Sequence, residues 1–373
     1  GRLRITNANN QNGFAKQEIT VVSGKTYIIS ADLYKGTNSQ ISMQVNSVGG
    51  SQSDSTGGVT TDGTYFFQFT PDTNTIVLNM GQGLTGNGKY TEIDNVSVRI
   101  ADDDRSVKNK GLQVLGTVPK QPVATGADLV SYGPFSTSNR LRQPYNSDLR
   151  FETNDFSVMF WMFNTGSNNH ESLVGKDDRE FAIDILDNSS YNRRFRIYVL
   201  NSSNSMLYFD STDDPFLPNS WTHVCVNFTK GNTCTIYVNG VLNKTGTWSG
   251  TGDYDIDSTT GALNIGCRNE SGLIHPADYT KLSLIRISAG APSADQVKKI
   301  YNDERDLYNE NAKCTLHGTS DNVKALAFDD SNGVIHAGTS AGRSEFQGLS
   351  RINNTTTAVT TAISASNELV AEQ

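Results

Sequence analysis

Apolar and polar positions alternate with a period of two through most of the first hundred residues. The clearest runs are AKQEITVV, KTYIISADLY, TYFFQFTP and EIDNVSVRI, and stretches rich in Gly, Asn and Ser, such as GGSQSDSTGG, separate them. Such alternation puts one set of side chains in a core and the other in solvent, as in a half-buried strand. The pattern predicts an antiparallel jelly-roll sandwich over residues 1–103.

A second strand-rich region follows a change in composition. Residues 104–130 carry charge, Pro and Gly in KNKGLQVLGTVPKQPVATGAD, which is typical of a connector. Apolar runs then return, and FSVMFWMF is continuous enough to predict a strand that is buried on both faces. With REFAIDIL, RRFRIYVL, SMLYFDS and TKLSLIRIS, it predicts a second sandwich over residues 131–312.

One segment of the chain has helical periodicity. In PSADQVKKIYNDERDLYN, Ser293 and Gln296 have the spacing of a capping box. Five apolar residues after them fall on one stripe of a helix: Val297, Ile300, Tyr301, Leu307 and Tyr308. The segment predicts one short helix after the strands of the second sandwich.

The run WTHVCVNFTKGNTCTIYVNG predicts a hairpin that contains two of the four cysteines. A turn at 231–232 would place Cys225 opposite Val238 and Cys234 opposite Thr229. Four strand residues would then separate the two thiols by roughly 13 Å, which is beyond the reach of a disulfide. No C-x-x-C pair occurs in the chain, so the sequence predicts free and mostly buried thiols, as expected for assembly in a reducing cytoplasm.

Residues 313–373 predict a β-rich extension. A hairpin-like pair surrounds DDSNG, and the Thr- and Ala-rich run NNTTTAVTTAISASNELVAEQ follows it. This tail has high β propensity but little material for a core, so pairing with copies of itself, as in a homotrimer, would stabilise it. The predicted fold class is therefore all-β, with two tandem antiparallel sandwiches, a connector, one short helix and a C-terminal extension.

Charge narrows the choice of partners. The 373 residues have a formal net charge of −8, which repels nucleic acid and anionic lipid. No apolar stretch approaches the ~20 residues that a membrane-spanning helix needs, so we expect neither nucleic-acid binding nor membrane insertion. Arg194 and Arg196 alternate along a strand-like run and predict a solvated strand face.

The acidic residues do not have the spacing of a glycosidase. Such an enzyme places two carboxylates about 5–10 Å apart across the scissile bond. Glu180 and Asp184 share a strand face but would lie ~13 Å apart. Glu92 and Asp94 have the closer spacing but lack the third carboxylate of the motif. His223 lies within a strand, where a histidine satisfied by its neighbours is the simpler interpretation, so no catalytic residue is predicted.

Two stretches resemble sugar-binding families. The order ITVVSGKTYIISADLYKG, TYFFQFTP and YTEIDNVSVRI resembles carbohydrate-binding jelly-roll modules that are appended to glycanases. The segment from about residue 132 to 308 resembles the laminin-G-like branch of the concanavalin A-like lectins, through FSVMFWMF, SWTHVCVNFTKGNTCTIYVNGVLN, ALNIG and LSLIRIS. In that family a Trp and a His open a strand whose partner ends in Tyr-Val-Asn-Gly, and here Trp221 and His223 match them.

A third resemblance concerns biological context. The runs VATGADLVSYGPFSTSNRLRQPYNSDLRFETNDFSVMFW and HGTSDNVKALAFDDSNGVIHAGTSAGRSEFQGLSRIN resemble tail-fibre and adhesin proteins of bacterial viruses. The resemblance implies a non-enzymatic homotrimeric fibre protein of the virion, assembled in the host cytoplasm, that binds host surface polysaccharide and other virion proteins. The alternatives are a purely architectural virion protein and a secreted glycan hydrolase or its accessory module.

The same resemblances suggest candidate binding residues. A structural Ca²⁺ would use carboxylate oxygens on the last strand of the jelly roll and in two acidic loops, and the candidates are Asp94, Asp177, Asp178, Asp213 and Asp214. Solvated acidic turns are the alternative interpretation of the loops. Sugar rings would stack on aromatic faces, and the candidates are Trp248, Tyr254, Tyr34 and Tyr90, for which ordinary packing is the alternative.

Overall fold

The structure is a computed structural model that describes residues 1–8, 13–81, 87–100, 112–166, 170–177, 180–188, 191–257, 260–270, 273–319 and 322–373. The chain divides into two compact units. One comprises residues Gly1–Gly116 and Leu141–Pro144, and the other comprises Thr117–Arg140 and Tyr145–Gln373. The described residues are almost entirely β-strand, with one α-helix, so the predicted all-β fold class is confirmed.

The first unit is a sandwich of two antiparallel sheets. Their strand orders are β1-β8-β3-β6 and β2-β7-β4-β5. The strands are β1 (Leu3–Thr6), β2 (Ala15–Thr20), β3 (Tyr27–Tyr34), β4 (Met43–Ser47), β5 (Ser53–Ser55), β6 (Gly63–Phe69), β7 (Thr75–Met80) and β8 (Tyr90–Ile100), and β9 (Gln113–Leu115) follows them. The alternating apolar residues of both sheets, such as Ile29, Leu33, Met43 and Leu78, are fully buried in one core.

The strands between β9 and the helix include those of the second sandwich. In chain order they are β10 (Lys120–Pro122), β11 (Val130–Tyr132), β12 (Arg140–Gln143), β13 (Phe156–Asn164), β14 (Glu171–Lys176), β15 (Phe181–Asn188), β16 (Tyr191–Leu200), β17 (Met206–Asp210), β18 (Trp221–Thr229), β19 (Thr233–Val238), β20 (Val241–Thr247), β21 (Leu263–Ile265), β22 (Cys267–Glu270), β23 (Leu273–Pro276) and β24 (Thr280–Ala289). Most of β12 belongs to the first unit, and β22 and β23 form a separate two-stranded sheet.

Two of these sheets face each other. One has the order β10-β11-β24-β13-β18-β19-β20, and the other contains β17-β16-β15-β14-β21 in that order. Phe156 on β13 stacks on Phe228 of β18 with ring centroids 4.0 Å apart, and it lies 5.4 Å from Phe181 on the facing sheet. Aromatic contacts therefore link the two sheets across the core.

The helix α1 (Ala294–Glu304) covers the outer side of the first of these sheets. It begins with the predicted capping box, in which the Ser293 hydroxyl accepts from the Gln296 backbone N–H and the Gln296 side chain accepts from the Ser293 N–H. Val297 of α1 packs against Met159 and Cys225 of the sheet. The helix explains why β13 is buried on both faces, as its unbroken apolar sequence predicts.

The turn of the β18–β19 hairpin corrects one prediction. Thr229 pairs with Thr233, so the turn contains three residues, 230–232, and not two. Gly231 and Asn232 both have positive φ, at 93° and 70°. Positive φ at two consecutive residues also occurs in a two-residue type I′ turn, so the pairing of Thr229 with Thr233 is the observation that fixes the loop length.

The longer turn shifts each cysteine by one position. Cys225 faces Tyr237, and Cys234 faces Phe228, in place of the predicted partners. Both thiols are unpaired and buried, as predicted. Burial raises the pKa of the Cys225 thiol to about 12, so this thiol is unreactive at neutral pH.

The C-terminal residues form their own sheet. It runs β25 (Ala325–Asp329), β26 (Val334–Thr339), β27 (Gly342–Gln347) and β28 (Ser350–Asn354) in sequential order, and a separate hairpin of β29 (Ile363–Ser366) and β30 (Leu369–Glu372) follows. The predicted hairpin around DDSNG is β25–β26, in which Asp329 pairs with Val334. No helix among the residues that the structure describes is long and apolar enough to cross a bilayer.

Candidate glycan-binding face

The outer side of the β14–β17 sheet carries a patch of polar and aromatic residues. Alternation along β16 and β17 sends Phe195, Ile197 and their neighbours into the core and the residues between them outward. The patch, called here the polar face, consists of Ser172, Asp184, Arg194, Arg196, Tyr198, Tyr208 and Asp210, with His170 and His275 at its rim.

An ion-pair network organises the open end of the polar face. Arg196 donates to Asp210 through two parallel bonds, from Nε to Oδ1 at 2.6 Å and from Nη2 to Oδ2 at 2.7 Å. The hydrogen bonds to Asp210 raise the pKa of Arg196. Arg194 lies 3.5 Å from Asp210 and 2.8 Å from Asp213. Bidentate pairing fixes the plane of the guanidinium, so the network is a rigid surface.

An exposed tyrosine adjoins this network. Tyr208 is 40% exposed, and the Arg196 guanidinium carbon lies 4.5 Å from its ring centroid. The cation therefore contacts a ring that still presents accessible surface. Tyr198, directly opposite on β16, is buried and continues the aromatic surface toward the covered end.

The covered end is built on one buried carboxylate. Asp184 is fully buried, and it accepts hydrogen bonds from the Ser172 hydroxyl and from Arg268 on β22. The Nε2 atom of His170 lies 2.6 Å from Asp184 Oδ2. Arg268 is itself only 3% exposed. Ser172 and Arg268 therefore hold the Asp184 carboxylate in one orientation.

Two histidines form the rim of the polar face. The His170 and His275 ring centroids lie 6.2 Å apart, and His275 Nε2 lies 3.7 Å from Glu270. Burial and the nearby Arg268 charge lower the pKa of His275. The lowered pKa keeps the His275 imidazole uncharged at neutral pH, and its Nε2 atom is buried.

The acidic side chains in and beside the polar face are held in ion pairs. Asp184, which is fully buried, and Glu270 share the Arg268 guanidinium. Glu180 forms its own ion pair with Lys176, at 2.6 Å. Among the described residues, the polar face thus combines an exposed aromatic ring with charged groups that are fixed in position, which suits the binding of a ligand.

Two of the predicted sugar-stacking residues lie in the core. Trp248 is 3% exposed, and Tyr254 is fully buried. The Tyr254 hydroxyl donates to the Asn154 carbonyl at 2.9 Å, and both rings pack around Phe228. Bridges to β16 and β17 hold this glycine-rich segment against the sandwich, so its rings fill the interior and offer no face to a ligand.

The other two predicted aromatic residues are covered by arginines of the first unit. The Arg2 guanidinium lies 3.5 Å from the Tyr34 ring centroid, and the Arg4 guanidinium lies 4.0 Å from that of Tyr90. Glu92 accepts from both arginines, and these hydrogen bonds lower its pKa. Each tyrosine therefore has one face occupied by a cation within a cross-strand network.

The carboxylate predicted for calcium on the last strand of the jelly roll has one acidic neighbour. Asp94 on β8 pairs with Asp32 on β3, but both Asp32 oxygens are engaged, by the Thr64 hydroxyl and the Asn95 amide. Among the described parts of the chain, no group of three acidic, His or Cys residues could hold a metal ion. Calcium at Asp94 stays a prediction.

The acidic loops of the second unit have structural partners. Asp177 accepts from the Ala262 N–H and the Asn264 amide, and Asp213 pairs with Arg194. Asp214 has a positive φ of 47° within a turn. Asp178 lies outside the described residues. Calcium at these positions stays a prediction, which thermal unfolding in added Ca²⁺ and in chelator tests through a shift of Tm.

Comparison with known families supports the fold of the second sandwich. Residues 136–298 match the model of the concanavalin A-like lectin/glucanases superfamily. This segment has the concanavalin A-like lectin fold. The name of the superfamily covers both lectins and glucanases, so the fold alone does not decide between binding and hydrolysis. A search of curated proteins returned no match.

Several solved structures are similar to the chain. The binding domain of Paraclostridial Mosquitocidal Protein 1 is 14% identical, with 69% of this chain and 64% of that chain covered and a TM-score of 0.44. The ligand binding domain of botulinum neurotoxin serotype D, in complex with N-acetylneuraminic acid, is 14% identical, with 68% and 59% covered and a TM-score of 0.43. The binding domain of botulinum neurotoxin serotype G is 11% identical, with 68% of this chain and 62% of that chain covered and a TM-score of 0.42. The chain thus spans less than two thirds of the length of these structures.

Sequence reasoning missed the polar face. It assigned Arg194 and Arg196 to a solvated strand face, whereas both are half-buried ion-pair partners. The sequence does contain a signal for this surface. Polar and aromatic residues alternate on two consecutive strands, as R-x-R-x-Y in RRFRIY and as Y-x-D in LYFD. Opposite charges at facing positions of adjacent strands stabilise each other.

Proposed function

We propose that this protein is a non-enzymatic glycan-binding protein whose polar face binds a host cell-surface polysaccharide. The observation that carries the proposal is the exposed Tyr208 ring beside the bidentate Arg196–Asp210 pair. The lectin-type fold of residues 136–298 supports it. Three features of the polar face would select the glycan that binds: the surface of the tyrosine ring, the guanidinium and the carboxylate oxygens.

Each part of the polar face has a role in this proposal. A pyranose ring stacks its C–H face on Tyr208, and its hydroxyls bond to charged groups that are already fixed in position. An aromatic contact of this kind contributes about 0.5–1.5 kcal/mol beyond the area that it buries, so a single site binds weakly. Repetition of sites along a polysaccharide, or in an oligomer, raises the overall avidity without new contacts.

Loss of the Tyr208 ring will abolish most glycan binding. We expect Tyr208→Ala to weaken binding to a responsive glycan about tenfold, because it removes roughly 1.4 kcal/mol of stacking and burial. A glycan array followed by cell-surface binding with competing host polysaccharide measures this. Tyr132→Ala is the control, because Tyr132 lies on the other sheet, is half-buried and also has a cation, Lys120, 6.0 Å from its ring centroid. Equal losses in both variants would refute the assignment.

The hydrolase alternative makes a separate prediction. If the polar face cleaves its ligand, incubation with the responsive polysaccharide will release reducing ends at a rate that the Tyr208→Ala variant lowers. We expect no release. Cleavage by the wild-type protein would overturn the non-enzymatic proposal, and intact polysaccharide together with specific binding supports it.

The proposal extends to the biological setting. We place the protein in a virion, as a homotrimeric tail-fibre or adhesin component of a bacterial virus, assembled in the host cytoplasm and in contact with other virion proteins. The sequence resemblance described above motivates this, and the unpaired thiols fit assembly in a reducing compartment. In the architectural alternative the same sandwiches contact only virion proteins, and the glycan array would show no response.

An exposed apolar row supports self-association. Phe328 pairs with Ile335, and Ile335 pairs with Phe346, so the three side chains cross β25, β26 and β27 on one face. Phe328 is 59% exposed, Ile335 is 41% exposed, and Leu326 beside them is also exposed. A contiguous apolar patch of this kind is typical of an interface between proteins.

Charge on this row will dissociate the oligomer. We expect Phe328→Glu with Ile335→Glu to convert trimers into monomers in light scattering after gel filtration, because the two carboxylates face each other across β25 and β26 and repel, and burial of either charge is unfavourable. Leu242→Glu on β20 is the control, since Leu242 is also exposed and lies on a different sheet. A trimer that survives the double substitution would contradict this interface.

A further inference from the structure

A cavity lies on the side of the second sandwich opposite to the polar face. It has a volume of about 280 Å³. Its floor consists of Ser157 and Met159 on β13 and their cross-strand partners Ser288 and Arg286 on β24. Gln296 and Ile300 of α1 and the segment 289–292 form its walls. The strands, the helix and the loop between them therefore all contribute to it.

The loop that borders the cavity is fixed in place. The Asn227 side-chain amide donates to the Pro292 carbonyl at 2.9 Å, and the Gly290 N–H donates to the Asp155 carbonyl at 2.8 Å. The capping box at the start of α1 anchors the other end of the same segment. The cavity is thus preorganised, which lowers the entropic cost of binding.

Each polar side chain that lines the cavity can donate a hydrogen bond. Arg286 gives one η-nitrogen to Glu304, while its other η-nitrogen has the thioether of Met159, a weak acceptor, at 3.8 Å. Gln296 uses its side-chain oxygen in the capping box, which leaves its NH₂ group as a donor. The Ser157 and Ser288 hydroxyls complete this set.

The strong acceptor nearest to these donors is already used. Glu304 accepts from the Trp161 indole N–H at 2.8 Å through one oxygen and from Arg286 through the other. Among the described residues that line the cavity, Arg286 is the charged one. A ligand with acceptor oxygens and negative charge complements this donor set, whereas a ligand with many hydroxyl donors does not.

The remaining lining is apolar. Met159, Ile300 and Pro292 surround the donors, so a ligand gains from an alkyl or aryl group next to its charged end. We propose that this cavity is a binding site for a small monocarboxylate with an apolar tail, in which the carboxylate accepts from Arg286 and the hydroxyls and the tail packs between the strands and α1. It is distinct from the polar face and does not depend on glycan binding.

Hexanoate and benzoate are suitable probes, with hexanamide and methyl hexanoate as uncharged comparators of the same size. We expect the two carboxylates to raise Tm of the full chain in a concentration-dependent manner and to show saturable binding by titration calorimetry. The amide and the ester will leave Tm unchanged, because they lack the charge that Arg286 complements.

Two variants test the location of the site. Ser157→Leu fills the buried part of the cavity floor and removes one hydroxyl. Ser288→Leu does the same at the exposed part of the floor, where folding tolerates the change. Each variant should lose at least tenfold in hexanoate affinity, while Tyr208→Ala keeps the wild-type affinity. No binding by either carboxylate, equal binding by hexanamide, or full binding by a folded Ser288→Leu variant would each overturn the proposal.

Discussion

Replacement of Asp184 by Ala will lower the free energy of unfolding by about 3–5 kcal/mol. Asp184 is fully buried and accepts hydrogen bonds from Arg268, which is only 3% exposed, and from Ser172. Without the carboxylate, the buried guanidinium loses its shortest ion pair and keeps the longer one to Glu270, at 3.7 Å. An unpaired buried charge is far less favourable than a paired one, so chemical denaturation of the variant should show a much lower midpoint.

Two further variants serve as controls for the Asp184→Ala measurement: one at a more exposed acidic residue, and one that removes both partners of the buried ion pair. Asp213→Ala also removes an ion pair with an arginine, Arg194, but the Asp213 side chain is 49% exposed, and the loss should stay below about 1 kcal/mol. The double substitution Asp184→Leu with Arg268→Met should recover much of the stability, since apolar side chains of similar size replace a buried pair well. A single Asp184→Ala variant as stable as Asp213→Ala would contradict this account of the buried pair.

Acid will destabilise the second sandwich through His223. Its ring is fully buried, both ring nitrogens lack a hydrogen-bond partner among the described residues, and Trp161 and Tyr301 lie beside it. Burial, with a smaller effect of the Arg286 charge, lowers the pKa of His223 to about 4. In the unfolded chain the same imidazole titrates near its ordinary pKa, about 6.5.

The direction of the pH effect follows from which state binds the proton first. As the pH falls through 6.5 the unfolded chain is protonated at His223, while the folded protein is not until the pH reaches about 4. The stability contribution is therefore complete above pH 6.5 and declines as the pH falls to 4, by about 3 kcal/mol in total. Urea unfolding at a series of pH values measures the decline.

The His223→Phe variant isolates this contribution. Phenylalanine retains the ring packing and removes both unpartnered nitrogens, so we expect a protein that is more stable at pH 7 by about 1–3 kcal/mol and less sensitive to acid. His275, whose pKa is also lowered, titrates in both proteins and cancels in the difference between them. Parallel stability curves for the wild type and His223→Phe would show that His223 is not the group responsible.

The fold was accessible to sequence reasoning because its signals are local. Alternation specifies which residues of a strand face the core, and Leu33 and Ile29 of β3 are buried as that rule requires. The capping box of Ser293 and Gln296 spans three positions and fixes the start of α1 wherever the helix packs. The β18–β19 hairpin was predicted as a unit, while its register depended on one extra turn residue.

The candidate site was not accessible in the same way. Trp248 and Tyr254 lie in a glycine-rich loop, and the sequence does not specify whether such a loop folds over the solvent side or into the end of the sandwich. The bridges of Asn201 with Tyr254 and Tyr208 with Ser249 decide that it folds inward. A residue that resembles a sugar platform in the sequence is thus a core residue in the structure.

The sequence by itself determined the alternating strands, the single helix and the absence of paired cysteines, because each depends on residues a few positions apart. Only the tertiary structure decided which charges meet, since Arg268 reaches Asp184 across 84 positions and Arg196 meets Asp210 by strand register. Periodicity assigns a side chain to a face of its own strand. The neighbours that it finds there depend on how distant strands are ordered, and that order made Tyr208 and Arg196 one surface.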